Sequence, residues 1–167
     1  NGALVLDGNS VFEIGSITKT FTNAILADMV RKGEVSLDDP VQKYLPNTVK
    51  IPTRNGKEIT LLDLATASSG LPGMPSNFKP KDPTNPYADY TVEQMYEFLS
   101  GHTLTRDIGS RYEYSNLGMG LLGQRAVCVL TDTHREPLDP EGRRYLVADA
   151  RSGDALGKVV DKIRSLP

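Results

Sequence analysis

A serine and a lysine separated by two residues, in Ser16-Ile17-Thr18-Lys19, are the side chains of this sequence best spaced to do chemistry together. Residues three apart on a helix lie on one face, so the hydroxyl and the amine can meet where a helix begins. A serine hydroxyl becomes a nucleophile when a neighbouring base takes its proton, and a lysine amine can act as that base. The pair therefore predicts nucleophilic catalysis, although the four-residue pattern alone also occurs by chance.

A helix is predicted over about residues 16–32, and it would carry this pair on its first turn. Apolar residues recur along it every four positions, at Ile17, Phe21, Ile25 and Met29. That spacing gives the helix one apolar face to bury. Gly33 then follows two basic residues, which is typical of a helix C-terminus.

Four further helices are predicted, and a proline-rich loop over residues 72–90 separates the first of them from the second. Thr60 with Asp63, and Thr91 with Gln94, have the spacing of helix-capping boxes. The predicted helices cover residues 61–66, 92–99 and 117–124. Short strands are predicted at residues 57–59, 126–130 and 145–148, with a last amphipathic helix over residues 154–165.

The composition excludes several classes of function. The net charge of −2 over 167 residues gives no sign of a partner such as nucleic acid. No apolar run is long enough to span a bilayer, and the first residues do not resemble a signal peptide. Cys128 is the single cysteine, which excludes an internal disulfide. His102 and His134 are too few for a zinc site, so no metal or organic cofactor is predicted.

Three segments together resemble the serine β-lactamase and penicillin-binding-protein family, in its branch of class C β-lactamases, DD-peptidases and related esterases. Residues 12–21 resemble the family's nucleophile segment. Residues 61–72, with Ser69-Gly70-Leu71-Pro72, resemble a second signature, and Tyr114-Ser115-Asn116 resembles the Tyr-x-Asn motif. The order and spacing of the three segments also agree with the family.

The resemblance implies a role for each of four residues. Ser16 matches the acylated nucleophile, and Lys19 matches the base that helps to remove its proton. Tyr114 matches the tyrosine that carries a proton between nucleophile and leaving group. Asn116 matches the residue that binds the amide side chain of the substrate. The substrate implied is a small-molecule β-lactam or ester, and no cofactor is implied.

The sequence departs from the family at its third motif, Lys-Thr-Gly or His-x-Gly, which lies on a strand and supplies the second oxyanion N–H. Neither triplet occurs in this chain, and Arg151-Ser152-Gly153 is only a loose imitation. The expected fold is α+β and β-lactamase/transpeptidase-like: mostly the helical region, with an incomplete or rebuilt antiparallel sheet. We expect residues 1–125 to form the family-like region of a truncated member, and residues 126–167 to form a tail of unassigned origin.

Simpler interpretations of the four site residues stay open at this point. Ser16 could be a helix N-cap, Lys19 a solvated lysine, and Tyr114 a half-buried packing residue. Asn116 could cap the helix that follows it. Tyr112 competes with Tyr114 for the proton-transfer role, but only Tyr114 has an asparagine two residues later.

The predicted function is that of a serine hydrolase of the β-lactamase type, acting through an acyl-enzyme. The alternative is a catalytically impaired member of the family that binds a partner or a second copy of itself. A third possibility is that both hold, with the sheet completed between chains by strand exchange. By resemblance alone, the location would be periplasmic or secreted.

Overall fold

The computed structural model describes residues 14–131, and the side chains of residues 14–124. The four α-helices of this part are α1 (Thr18–Arg31), α2 (Leu61–Ala65), α3 (Val92–Gly101) and α4 (Asn116–Thr131). A 3₁₀ turn, Gly15–Ile17, leads directly into α1, and a second, Val41–Tyr44, lies between α1 and α2. The predicted loop over residues 72–90 contains turns and bends without a helix or strand. Among the described residues, no helix is both long and apolar enough to cross a bilayer.

Helix α1 ends as the sequence predicts. Gly33 has a φ of 70°, a left-handed conformation that costs glycine little. Its N–H donates to the Val30 carbonyl at 3.0 Å, and the Glu34 N–H donates to the Met29 carbonyl at 3.0 Å. This pair of bonds satisfies the last carbonyls of the helix in a Schellman motif. The predicted apolar stripe is confirmed only in its second half, because Ile17 is 59% exposed.

Both predicted capping boxes are confirmed. The Thr60 side chain accepts a hydrogen bond from the Asp63 N–H, and the Asp63 carboxylate accepts one from the Thr60 N–H. Thr91 and Gln94 make the same reciprocal pair at the start of α3. Each box satisfies two backbone N–H groups that a helix start leaves without an intrahelical partner.

The predicted strand over residues 126–130 is wrong, because α4 continues through it to Thr131. A short apolar run fits a buried strand and a helix equally well by periodicity. Nothing between Gln124 and Thr131 breaks a helix, so the helix that begins at Asn116 continues. The predicted strand over residues 145–148 and the last helix lie outside the described residues.

The predicted strand over residues 57–59 is also wrong. Within this segment only Lys57 makes an isolated antiparallel bridge, with Arg54, and a second such bridge, Pro40 with Thr60, lies just beyond the segment. Between residues 14 and 131 the chain is therefore mostly helical and contains no strand. That agrees with the helical region expected of an α+β fold, while the rebuilt sheet expected from the tail falls outside the described residues.

Helix α4 packs against both α1 and α2 and forms the centre of the core. Its Leu117, Leu121 and Leu122 side chains are at most 2% exposed. Other members of the core cluster include Leu26, Val41, Ile59, Leu64, Leu71, Met95, Leu99 and Leu104. Burying such side chains stabilises the fold by about 1.5–3 kcal/mol each. The packing also brings the first turns of α1 and α4 together, which positions the candidate site.

Candidate active site

The four residues predicted from the sequence meet where α1 and α4 begin. The Ser16 hydroxyl is hydrogen-bonded to the Tyr114 hydroxyl. Lys19 Nζ lies between the two, 3.2 Å from Ser16 Oγ and 2.6 Å from the Tyr114 oxygen. It also donates to Asn116 Oδ1 at 2.8 Å. Residues about a hundred positions apart in the chain thus form one hydrogen-bonded cluster.

Lys19 uses all three of its ammonium protons within this cluster. A lysine ammonium has three donors and no acceptor, and Ser16, Tyr114 and Asn116 each take one of them. The cation also lies 4.6 Å from the centre of the Tyr114 ring. This arrangement places a positive charge beside the tyrosine oxygen and leaves that oxygen as the group best placed to accept the Ser16 proton.

The structure distinguishes between the two tyrosines, Tyr112 and Tyr114, that compete for the proton-transfer role. Tyr112 is 68% exposed, whereas the Tyr114 hydroxyl bonds to both Ser16 and Lys19. The hydrogen bond donated by Lys19 is the main cause that lowers the pKa of Tyr114 below its usual value, and the bond to Ser16 adds to it. A lower pKa makes the phenolate accessible at a lower pH, which suits a group that must accept a proton.

We expect Lys19→Met to raise the pKa of Tyr114, because this substitution removes both the donated hydrogen bond and the adjacent charge. Tyrosinate absorbance near 295 nm, followed against pH and taken as the difference from Tyr114→Phe, isolates this one tyrosine. Lys50→Met, at an exposed lysine, is the matched control and should leave the titration unchanged. An unchanged Tyr114 titration in Lys19→Met would contradict the proposed electrostatic coupling.

The residue between Tyr114 and Asn116 fixes both of them. Ser115 is 5% exposed, and its hydroxyl donates to the Pro72 carbonyl at 2.6 Å. The same oxygen accepts the Gly118 N–H at 2.8 Å, as an N-cap does three residues before its partner. The prediction that Asn116 could be the N-cap is therefore wrong. Ser115 caps α4, and the Asn116 side chain is free to face Lys19.

Ser16 is not a helix cap either. The N-cap of α1 is Ile17, which makes no side-chain cap bond. The Ser16 side chain points instead to Lys19 and Tyr114. It is exposed to solvent, while Lys19 beneath it is half-buried. The hydroxyl is thus accessible to a substrate and held by polar partners.

Backbone carbonyls in the second signature and directly after it accept hydrogen bonds from the Tyr-x-Asn segment and its neighbour Glu113. The Glu113 N–H donates to the Ala67 carbonyl at 2.7 Å, and the Asn116 N–H donates to the Gly73 carbonyl at 2.9 Å. Arg106 pairs with the Glu113 carboxylate, and its guanidinium donates to the Leu71 carbonyl at 3.4 Å. The turn after α2 therefore positions Tyr114 from both sides, a function that the sequence analysis did not predict.

We expect Ser115→Ala to lower the free energy of unfolding by about 1–3 kcal/mol, because it removes an N-cap and leaves the Pro72 carbonyl without its partner. Urea unfolding followed by circular dichroism measures the change. Ser110→Ala is the matched control, since Ser110 is exposed and bonds only within its own turn. Equal stability of the two variants would contradict the role assigned to Ser115.

Comparison with known proteins identifies the family of the chain. The family model described as Beta-lactamase matches residues 5–129. The chain belongs to the β-lactamase family. The predicted resemblance to serine β-lactamases and penicillin-binding proteins is thereby confirmed. Among the described residues, no cluster of His, Cys, Asp or Glu side chains is arranged to hold a metal ion.

Relatives of this β-lactamase-family chain include both peptidases and β-lactamases. It is 39% identical over 114 residues to the D-alanyl-D-alanine-carboxypeptidase/endopeptidase AmpH of Escherichia coli K12, covering 68% of this chain and 29% of that protein. It is 32% identical over 118 residues to a β-lactamase of the same organism, covering 71% of this chain and 28% of that protein. The chain thus spans less than a third of the length of these relatives.

Solved structures give the same fold. A β-lactamase/D-alanine carboxypeptidase from Yersinia pestis, complexed with citrate, matches with a TM-score of 0.62 and 29% identity, over 76% of this chain and 40% of that one. A class C β-lactamase in complex with cefoxitin matches with a TM-score of 0.56 and 29% identity, over 72% of this chain and 30% of that one. The described helices are therefore those of a β-lactamase/transpeptidase-like fold.

Proposed function

We propose that the protein is a serine hydrolase that forms an acyl-enzyme on Ser16 with a β-lactam amide or an ester. The observation that carries this proposal is the closed hydrogen-bonded cluster of Ser16, Lys19 and Tyr114. A nucleophile within hydrogen-bond reach of a base, with a third group orienting that base, is the arrangement that activates a serine. Membership of the β-lactamase family supports the same reaction class.

In the proposed mechanism, Ser16 Oγ attacks the substrate carbonyl carbon while its proton passes to the Tyr114 oxygen. The Lys19 ammonium stabilises the negative charge on Tyr114 before transfer. Tyr114 then gives the proton to the leaving nitrogen or oxygen as its bond to the carbonyl carbon breaks. Asn116, held by Lys19, presents its amide group towards the acyl side of the substrate. Water finally hydrolyses the ester on Ser16.

The tetrahedral intermediate needs hydrogen-bond donors for its oxyanion. The Ser16 N–H lies in the first turn of the helical segment, where backbone N–H groups have no intrahelical partner and the dipole favours negative charge. The Ser16 N–H is therefore the first of the donors proposed for the oxyanion. Loss of one oxyanion donor lowers the rate by about 10²–10³-fold, and the triplet that supplies the second donor in the family does not occur in this sequence. Acylation in a single turnover is therefore a better measure of Ser16 reactivity than steady-state hydrolysis.

Intact-mass spectrometry after incubation with a β-lactam and, separately, an activated ester tests the proposal. We expect one added acyl group per chain, and peptide mapping should locate it at Ser16. With a penicillin as the β-lactam, the added mass should equal the whole molecule, because opening its ring releases no fragment. Absence of an adduct with both reagents, under conditions that label a full-length relative, would overturn the proposal.

A second candidate function is a binding or self-associating module. It is favoured by two large apolar side chains exposed close to the site residues in sequence, Ile17 at 59% and Tyr112 at 68%. Isolated exposed apolar residues are common, but contiguous ones often mark an interface. Light scattering distinguishes the candidates: a stable dimer that forms no adduct on Ser16 would favour the module, and an adduct-forming monomer would favour the hydrolase.

A further inference from the structure

An ion pair holds the residue that directly precedes Tyr114 in the chain. Arg106 pairs with the Glu113 carboxylate, and the same guanidinium donates to the Leu71 carbonyl at 3.4 Å. The Glu113 N–H donates to the Ala67 carbonyl at 2.7 Å. Glu113 is thus attached twice to the turn after α2, once by its own backbone and once by its side chain through Arg106.

Tyr114 depends on such anchors because its own surroundings restrain it only in part. It lies before the first residue of α4, outside any helix or strand. It is 44% exposed, so packing covers only part of its side chain. On its C-terminal side the chain is held by Ser115, which caps α4. The pair of Arg106 and Glu113 supplies the corresponding restraint on the N-terminal side.

This ion pair is poorly built for stabilising the fold. The Arg106 side chain is 18% exposed and that of Glu113 is 32% exposed, so both charges lose much of their hydration. Among the described residues, Arg106 Nε is buried and has no hydrogen-bond partner. The loss of hydration offsets the attraction between partly buried charges, and an unpaired buried N–H adds a further cost. A role in the site accounts for the pair better than a role in stability.

The proposed reaction requires the Tyr114 hydroxyl to be placed accurately. It is hydrogen-bonded to Ser16 and accepts a hydrogen bond from Lys19 at 2.6 Å. Misplacement of a reacting group by about 1 Å can lower a rate by about 10²-fold. Because Glu113 is the adjacent residue, a shift of its backbone would be passed on to Tyr114 through a single peptide unit.

We propose that Arg106 is a positioning residue, which acts through Glu113 to hold the Tyr114 hydroxyl in its hydrogen-bonded place. The inference rests on the proposed acylation of Ser16, and it extends the proposed site by a charged pair that does not touch the substrate. It predicts that loss of the pair slows the acylation step and leaves substrate binding nearly unchanged.

Single-turnover acylation by p-nitrophenyl acetate tests this role. Acylation forms the bond between Ser16 Oγ and the acetyl carbon, breaks the bond to p-nitrophenolate, and passes the serine proton to Tyr114. We expect Arg106→Met to lower the acylation rate at saturating ester by about 10–10²-fold, while the half-saturating concentration and the burst amplitude stay within about twofold. A variant that was only destabilised would lose burst amplitude instead, because its folded molecules would react at the unmodified rate.

Arg111→Met is the matched control, because Arg111 reaches the same carboxylate at 3.4 Å but is 70% exposed. Exposed ion pairs contribute little, so this variant should acylate within about twofold of the unmodified rate. Arg106→Lys keeps a positive charge opposite Glu113 and should recover part of the rate that Arg106→Met loses. If Arg111→Met were as slow as Arg106→Met, the role assigned to Arg106 would be wrong.

A double-variant cycle shows whether Arg106 acts through Tyr114. The Tyr114→Phe chain has no hydroxyl to position, so adding Arg106→Met to it should not lower the acylation rate further. Intact mass followed against time measures these slow rates. An equal fall in both backgrounds would mean that Arg106 affects the reaction independently of Tyr114, and it would overturn the proposal.

The ionisation of Tyr114 tests the positioning without any reaction. Glu113→Leu removes a negative charge beside Tyr114 in the chain, and by charge alone this would make the phenolate easier to form. Loss of positioning has the opposite effect, because the hydroxyl would move away from Lys19, whose hydrogen bond lowers the pKa of Tyr114. We therefore expect Tyr114 to titrate at higher pH in Glu113→Leu, measured near 295 nm as the difference from the same variant carrying Tyr114→Phe.

The outcomes separate the positioning role from the reaction itself. A Tyr114 titration at unchanged or lower pH in Glu113→Leu would overturn the positioning role. If the unmodified chain forms no adduct on Ser16, the proposed hydrolase fails, and the titration still decides whether the pair positions Tyr114. If Arg106→Met acylates at the unmodified rate, the positioning role fails while the hydrolase proposal stands.

Discussion

Ser16→Ala is expected to abolish covalent labelling by a β-lactam or an activated ester and to lower any hydrolysis by at least about 10³-fold. Removing the attacking oxygen leaves no atom to carry the acyl group, whatever the binding of the substrate. The fold should be unaffected, because the Ser16 side chain is exposed and does not cap a helix. Intact mass after a fixed incubation, with the p-nitrophenolate burst as a second readout, measures the loss.

The matched control for this prediction is Ser110→Ala, which removes a hydroxyl from an exposed turn. Ser110→Ala should label to the same extent as the unmodified chain, and circular dichroism should give the same helix content for both variants. Persistent stoichiometric labelling of Ser16→Ala would place the nucleophile elsewhere and contradict the acyl-enzyme on Ser16.

Local helix geometry predicts the contact between Ser16 and Lys19, but it does not predict that Tyr114 joins them. Ser16 and Lys19 face each other because helical residues three apart share a face, so their spacing was sufficient to predict the contact. Tyr114 lies 98 residues from Ser16. No local periodicity relates residues so far apart, and only the resemblance to a known family associated them. The packing of α4 on α1 is what brings them together.

The sequence did not predict the contacts that hold the site residues in place, because most of these contacts are made by backbone groups. The carbonyls of Ala67, Pro72 and Gly73 hold the Tyr-x-Asn segment, and a carbonyl has no side-chain pattern from which its partner can be read. The alternative interpretation of Asn116 as the cap was wrong by one residue, because Ser115 and Asn116 are both good capping residues.

The wrong strand at residues 126–130 has a different cause. Val127 and Val129 have high strand propensity. Propensity is a weak preference that a helix already under way and packed in the core overrides. The well-predicted features, such as the two capping boxes and the end of α1, are ones in which side chain and backbone interact within a few residues.

Lys19→Met and Tyr114→Phe are each expected to lower the acylation rate of Ser16 by about 10²–10⁴-fold, the usual contribution of a positioned acid–base group. The double variant should be no slower than the slower single variant, because all three side chains belong to one hydrogen-bonded cluster and act as a unit. The p-nitrophenolate burst, measured at several pH values, gives these rates.

Lys19→Arg then distinguishes two roles for the lysine. Arginine keeps the positive charge beside Tyr114 but cannot give up a proton. Because Lys19 already donates all three of its ammonium protons, we expect Tyr114 to be the group that accepts the Ser16 proton. Lys19→Arg should therefore restore most of the acylation that Lys19→Met loses. The rate should rise with pH until Tyr114 is ionised, at a pH below that of an ordinary tyrosine. If Lys19→Arg instead keeps Tyr114 easily ionised but stays as slow as Lys19→Met, Lys19 itself must accept the proton.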